Sequence, residues 1–354
     1  MDWRTKLVNP SPKARQDYRS LATPVYRGST VLFDDQSVVT DDWRQAEYGY
    51  SYGLYGTPTT LELAARLAEL EGASETFIVP GGQAAIALIY LAYCQAGSHA
   101  LVPHSAYGLI RENTSLIWCE SPGSVTMEVQ DVPAIVQAAH ARGVAVALDN
   151  TYAAGVMFDA FAHGVDVSMQ ALTKYVGGHS DLLLGSVSAR DKDAFERLGP
   201  IYQQLGLAVS PDDCSLALRG LQTLAVRLEV LERNTLEIAN WLADHPFVAQ
   251  VLHPALPSCP GHDVWTRDFS GSTSVFSFIF TDAISADQVV NFINQLKIFK
   301  IGMSWGGINS LALVYPDLQR PAQDFGGRIV RLNIGLEKVA DLTDDLAQAM
   351  TQLS

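Results

Sequence analysis

Lys174 ends the largely apolar run Val167-Ser168-Met169-Gln170-Ala171-Leu172-Thr173, and the turn Gly177-Gly178-His179-Ser180-Asp181 follows it. An ammonium at the C-terminal end of a buried strand is poorly solvated, and burial lowers its pKa. A neutral amine there can hold an aldehyde as a Schiff base. One strand earlier, Val144-Ala145-Val146-Ala147-Leu148 ends in Asp149-Asn150. A carboxylate in that position can keep a pyridine nitrogen protonated and its ring an electron sink. Further upstream, Pro80-Gly81-Gly82-Gln83 follows a strand and opens a helix, where glycines let the backbone approach an anion and the first N–H groups of the helix point at it. Taken singly, these are a surface lysine, a turn cap and a tight strand-to-helix turn. Together they supply an amine, a ring partner and a phosphate cradle, which is the chemistry of pyridoxal 5'-phosphate.

Arg331 lies in Ile329-Val330-Arg331-Leu332-Asn333-Ile334. Most arginines on such a strand are salt-bridged surface residues, but the guanidinium fork also fits an α-carboxylate. Tyr107, just after the strand His99 to His104, is either an edge tyrosine or a cover for a planar ring. His179 reads as a local hydrogen-bonding group.

The elements that must position these residues alternate. Strands are expected at Thr76 to Val79, His99 to Val102, Leu116 to Cys119, Val144 to Leu148, Val167 to Leu172 and Leu182 to Val187, with helices opening at Gly82 and over Val132 to Arg142. Such alternation predicts βαβ units and a mainly parallel sheet. Another helix covers Leu61 to Leu70, with Gly72 as its stop. The pattern changes near residue 214. One long amphipathic helix is expected from Leu216 to about Leu242, then a half-buried antiparallel strand over Ser274 to Phe280, a helix from Ala286 to about Leu296, and the strand bearing Arg331. The domains read as an extended polar arm over 1–46, a large cofactor-binding domain over 47–218 and a smaller α+β domain over 219–354.

The chain has 354 residues, 48% of them hydrophobic and 18% charged, with a net charge of −14. That charge argues against nucleic acid and anionic membranes as partners. The start, Met1-Asp2-Trp3-Arg4-Thr5-Lys6, lacks the apolar core of a signal peptide, and the apolar stretch around Ala84 to Cys94 is too short to span a bilayer. Cys94, Cys119, Cys214 and Cys259 are scattered without metal-ligand spacing, and Cys119 falls in an apparent core strand. A cytosolic, reduced, metal-free protein is expected.

The chain resembles the Cys/Met-metabolism family of fold-type-I pyridoxal phosphate enzymes almost end to end. The likeness is carried by Pro24-Val25-Tyr26-Arg27-Gly28-Ser29-Thr30-Val31, Tyr52-Gly53-Leu54-Tyr55-Gly56-Thr57-Pro58-Thr59, Asp149-Asn150-Thr151, Thr173-Lys174-Tyr175, Arg219-Gly220-Leu221 and Arg331 to Glu337. It implies a fold-type-I sheet of seven-stranded type and a pyridoxal 5'-phosphate cofactor. Lys174 would form the Schiff base and act as catalytic proton carrier, with Tyr107 stacked on the ring and assisting. Asp149 would pair with the ring nitrogen, while Gly82 and Gln83, with Thr173, hold the phosphate. Tyr52 would reach the phosphate of a neighbouring subunit, so a homodimer, doubled to a tetramer, is implied. Arg331 would bind the substrate carboxylate beside Ser304 and Trp305. Glu120-Ser121-Pro122-Gly123-Ser124 with Thr126-Met127-Glu128, and Ser304-Trp305-Gly306-Gly307, resemble the β-acting members, implying β-elimination from a thioether amino acid to a thiol, pyruvate and ammonia. A γ-acting or broader C–S lyase is the alternative within the family. A cofactor-binding protein without turnover is the rival from another class.

Three positions depart from the family. Leu54 stands where many relatives carry arginine, and Ala171 where they often carry serine, so each removes a phosphate contact. After His104-Ser105-Ala106-Tyr107-Gly108 the sequence jumps to Leu109-Ile110-Arg111, which resembles a point well downstream. The lost stretch is about the size of a helix, a strand and their connections, about 30 residues. Either the chain lacks it or the sequence omits it. Its absence would leave a new sheet edge on the strand His99 to Val102, with disorder or an altered site expected around Tyr107.

Overall fold

The computed structural model describes residues 2–8, 20–103, 110–320 and 323–353. It divides into two compact units. The first comprises 1–119, 132–177 and 181–224; the second comprises 120–131, 178–180 and 225–354. The second unit thus takes in two short segments from the middle of the chain.

In the first unit, strands β1 (Glu75–Val79), β2 (His99–Leu101), β3 (Thr114–Glu120), β4 (Ala145–Asp149), β5 (Val167–Gln170) and β6 (Gly185–Ala189) form one sheet in the order β1-β6-β5-β4-β3-β2. The pairs β2–β3 and β4–β5 are parallel, whereas β6 runs against both of its neighbours, β1 and β5. Among the described residues this sheet has six strands, the seven-stranded type without one edge strand. β2 is three residues long and lies at the edge, with Val102 beyond it 41% exposed, as the lost stretch implied.

The helix Pro58–Glu71 starts with proline, whose missing N–H costs nothing at a first turn, and stops at Gly72 with φ +74°. Phe77, Val79, Leu88, Ile89, Leu116, Trp118, Val187 and Leu198 share a core with the helices Gly82–Tyr93 and Lys192–Leu205. Two expectations need correction here. The arm is not wholly extended: Trp3–Val8 is helical with Leu7 buried, and Trp43 packs on Phe77 and Phe195 at 5.6 and 5.1 Å. A Cβ on Gly199 would strike the Trp43 ring, so this glycine admits the arm to the core. In addition, β6 begins at Gly185 rather than Leu182. Leu183 is 71% exposed, and the strand is built of small residues that lie buried.

The expected long helix is two, Pro211–Gln222 and Leu224–Ala243, because Thr223 closes the first: its N–H and hydroxyl both turn back to the Gly220 carbonyl. The leucine spacing runs through the break, which hides it from the sequence.

In the second unit, β7 (Val248–Leu252), β8 (Val275–Phe280), β9 (Lys300–Ile301), β10 (Leu311–Val314) and, after the ribbon of β11 (Gln319–Arg320) and β12 (Gln323–Asp324), β13 (Ile329–Asn333) give a second sheet in the order β7-β8-β13-β10-β9. β8 is antiparallel to both neighbours as expected, but all six of its residues are buried. The phenylalanines of one face, Phe276, Phe278 and Phe280, join a core with Phe292, Leu342 and Leu346. On the other face Ser277 is covered by the segment 120–131, donating to the Val125 carbonyl at 2.6 Å. A satisfied serine can be buried, so the polar alternation did not mean water. Among the described residues no helix is long and apolar enough to cross a membrane.

Candidate active site

The first unit brings Lys174, Asp149, Thr173 and the Gly82 turn to neighbouring ends of its strands. Asp149 ends β4, and Lys174 lies four residues past the end of β5, in a turn closed by its own N–H on the Ala171 carbonyl at 3.0 Å. The backbone between them is tied together. Thr151 N–H donates to Asp149 Oδ1 at 3.0 Å, and Thr151 Oγ1 accepts the Ala171 N–H at 2.9 Å. Burial pushes the Asp149 carboxyl up from its ordinary pKa, while the Thr151 bonds and the nearby Lys174 ammonium favour the charged form. Asp149 and Lys174 both keep part of their surface open.

The helix Gly82–Tyr93 begins its ladder with Ala85 N–H on the Gly81 carbonyl, so the N–H groups of Gly82 and Gln83 precede the first intrahelical bond. A Cβ on Gly82 would stand 3.1 Å from the Ala171 Cβ. Position 171 therefore faces the turn, and its methyl group brings no donor. The Thr173 hydroxyl is engaged elsewhere: it donates to the Leu184 carbonyl at 3.2 Å and accepts the Leu184 N–H at 3.1 Å. To donate to a phosphate it must release that carbonyl.

Leu54 turns inward to the aromatic core of its own unit, so no donor is supplied from that position. Tyr52 is 45% exposed, with its carbonyl fixed by Gln45 Nε2 at 2.6 Å. Tyr107 lies outside the described residues. The first unit also holds a cavity of about 790 Å³ lined by Trp43, Phe77, Phe195 and Tyr202. None of Lys174, Asp149 or Gly82 lines it.

In the second unit Arg331 is 8% exposed on β13. Its two terminal nitrogens donate to the carbonyls of Ser124 and Ser304, each at 3.3 Å, and its guanidinium lies 5.1 Å from the Tyr315 ring centroid. Ser304 has φ +86°, an uncommon backbone for a residue with a side chain. The loop it opens is anchored by Asn333, which sequence reasoning passed over. Asn333 Oδ1 accepts the Gly306 N–H at 2.8 Å, and Nδ2 donates to the Asn309 carbonyl at 2.8 Å. Its place two residues after Arg331, on the same face of the strand, was the available signal. Trp305 is half-buried in that loop.

These groups fit pyridoxal phosphate: an amine beside a half-buried carboxylate, and a helix N-terminus that a side chain would crowd. The family model for Cys/Met metabolism PLP-dependent enzymes matches residues 4–110 and 108–351. The cystathionine beta-lyase MetC of Escherichia coli is 36% identical, covering 97% of this chain and 96% of its own. Its alignment runs over 381 positions, more than the 354 residues here. The family match comes in two parts that meet at 108–110, next to Tyr107. A Wolbachia pipientis L-alanine/L-glutamate racemase is 34% identical, covering 95% of this chain and 94% of its own. Among solved structures, cystathionine gamma synthase from Xanthomonas oryzae in complex with aminoacrylate and cysteine superposes with a TM-score of 0.89 at 28% identity, covering 100% of this chain and 98% of that one.

Proposed function

The chain belongs to the Cys/Met metabolism PLP-dependent enzymes, and from that premise we propose that it cleaves L-cystathionine by β-elimination to L-homocysteine, pyruvate and ammonia. The single observation that carries the reading is the Lys174–Asp149 pair at adjoining strand ends, joined to relatives of MetC type over nearly the whole chain.

Pyridoxal phosphate, when bound, supplies an aldehyde for amines and a protonated ring that draws electrons from Cα. The chain's own residues do the rest. Gly82 and Gln83 N–H groups hold the phosphate, and Asp149 keeps the ring nitrogen protonated. Arg331 takes the substrate α-carboxylate, beside Ser304 and Trp305. Lys174 Nζ removes the Cα proton and returns a proton to the departing sulfur as the Cβ–S bond breaks. The enamine released then takes up water to give pyruvate and ammonia. Tyr107 assists Lys174, and Thr173 adds a phosphate contact after releasing Leu184. Tyr52, exposed on its own subunit, completes the phosphate site of a neighbouring copy, so the working unit is a cytoplasmic homodimer, doubled to a tetramer.

A second reading is racemisation of an amino acid, favoured by the Wolbachia relative; it needs the same proton removal without a leaving group. Product analysis separates the two. With L-cystathionine the proposed reaction gives pyruvate and homocysteine, γ-cleavage gives 2-oxobutyrate and cysteine, and a racemase gives D-alanine from L-alanine with neither keto acid. Lys174→Ala should bind cofactor without turnover. Pyruvate release at the wild-type rate from that variant would reject the role of the lysine.

A further inference from the structure

Directly beneath the strand ends that carry Asp149 and Lys174 lies a buried carboxylate with no part in the chemistry above. Glu71 ends the helix Pro58–Glu71 and is 6% exposed. Its Oε2 accepts Ser168 Oγ at 2.7 Å, and its Oε1 accepts Gln170 Nε2 at 2.7 Å and Ser188 Oγ at 3.1 Å. Burial pushes the Glu71 carboxyl up from its ordinary pKa, while these three donors and the Asn150 side chain favour the charged form. Among the described residues all four of these partners are neutral. A buried carboxylate held only by neutral donors is a costly way to build a core.

The partners lie on the elements that bear the site. Ser168 and Gln170 are two apart on β5, hence on one face, and Ser188 is opposite Ser168 on β6. Ser188 in turn meets Thr76 on β1 at 2.9 Å. Asn150 directly follows Asp149, and its N–H donates to the Met169 carbonyl at 2.9 Å. Gln170 directly precedes Ala171, whose N–H is held by Thr151, the residue that also donates to Asp149. Gly155, at φ +69°, lets the turn after β4 close over the pair: a Cβ there would stand 2.9 Å from Glu71 Cγ and would strike Gln170 Nε2. One carboxylate thus fastens both strands and the turn between them, on the face of β5 opposite Met169 and Ala171, which approach the Gly82 turn.

We propose that Glu71, through Gln170 and Asn150, is a positioning residue that fixes the Asp149 carboxylate against the cofactor's ring nitrogen and the Lys174 turn against Asp149. The proposal rests on the reading of Lys174 and Asp149 given above, and it assigns Glu71 no contact with substrate or cofactor.

The test compares four variants as holoenzymes saturated with pyridoxal phosphate: Glu71→Gln, Gln170→Met, Thr76→Val and Asp149→Asn. Three readouts are taken: the pH midpoint of the bound cofactor's absorbance change without substrate, kcat/KM, and the melting temperature. Glu71→Gln and Gln170→Met should each move the midpoint by about half a pH unit or more and lower kcat/KM about tenfold, the scale on which partners standing behind a ligand act. Thr76→Val, which cuts the network at its far end, should move the melting temperature alone. If Glu71→Gln does not fold, Gln170→Met decides. A midpoint shifted by Asp149→Asn but unmoved by Glu71→Gln and Gln170→Met makes Glu71 a structural residue only and overturns the proposal. A midpoint that Asp149→Asn itself leaves in place overturns instead the reading of the site.

Discussion

The methyl carbon of Ala171 stands 3.1 Å from the point a Cβ on Gly82 would occupy. Residue 171 therefore sits against the turn proposed to hold the phosphate, and alanine there presents no donor. Ala171→Ser places a hydroxyl at that turn. A hydrogen bond to a charged group contributes about 1.5–3 kcal/mol, so the variant should bind pyridoxal phosphate about tenfold more tightly or better. Equilibrium dialysis of cofactor-stripped protein measures this, and an unchanged dissociation constant would show that the phosphate lies elsewhere.

The parts of this molecule legible in its sequence are those whose signal is local. Lys174 and Asp149 each end an apolar run, and Pro58 and Gly72 mark helix ends by their own backbone preferences. What escaped was set by packing at long range. Glu71 looks like any acidic residue before a helix-stopping glycine, and only Ser168, Gln170 and Ser188 reveal its role. The break at Thr223 is invisible because Leu221, Leu224 and Leu228 keep helical spacing across it. Ser277 reads as a solvent position until the 120–131 segment covers it. Asn333 carries no chemistry of its own and emerges only from the loop it anchors.

Arg331 holds two carbonyls with the two arms of its fork, and its guanidinium lies over the Tyr315 ring. A lysine offers one compact charge in place of that planar fork. Arg331→Lys should therefore raise KM for cystathionine about tenfold or more while kcat falls much less, the pattern of lost uniform binding. Steady-state kinetics separate the two constants. A fall confined to kcat would move Arg331 from substrate binding to the chemical step.

Gly220 touches the lysine turn from the helix Pro211–Gln222. A Cβ at this position would collide with the carbonyl oxygen of Val176 and stand 2.9 Å from that of Gly177. Both obstacles are backbone, so neither can rotate away. Gly220→Ala should cost about 1–3 kcal/mol of stability, even though alanine is the better helix former by about 1 kcal/mol. Chemical denaturation gives the number. A stabilised variant would mean that the helix and the turn can move apart freely.

His253 links the stability of the second unit to pH. Its side chain is fully buried, Nδ1 accepts the Ala255 N–H at 3.1 Å, and the ring centroid lies 5.7 Å from that of Phe276. Among the described residues Nε2 has no hydrogen-bond partner. An imidazole so placed is neutral, and burial lowers its pKa from 6.5 to about 4. The unfolded chain takes up a proton below its ordinary value, whereas the folded chain resists until about 4. The stabilisation is therefore fully present above 6.5 and is lost as pH falls from 6.5 toward 4. Between pH 7 and pH 5 this amounts to about 2 kcal/mol. His253→Asn keeps an acceptor for the Ala255 N–H but cannot titrate. Its stability should fall less than the wild type's over that interval, by about the same 2 kcal/mol. Urea denaturation of both proteins at the two pH values checks this; equal losses would mean that His253 is already protonated, or solvated, in the fold.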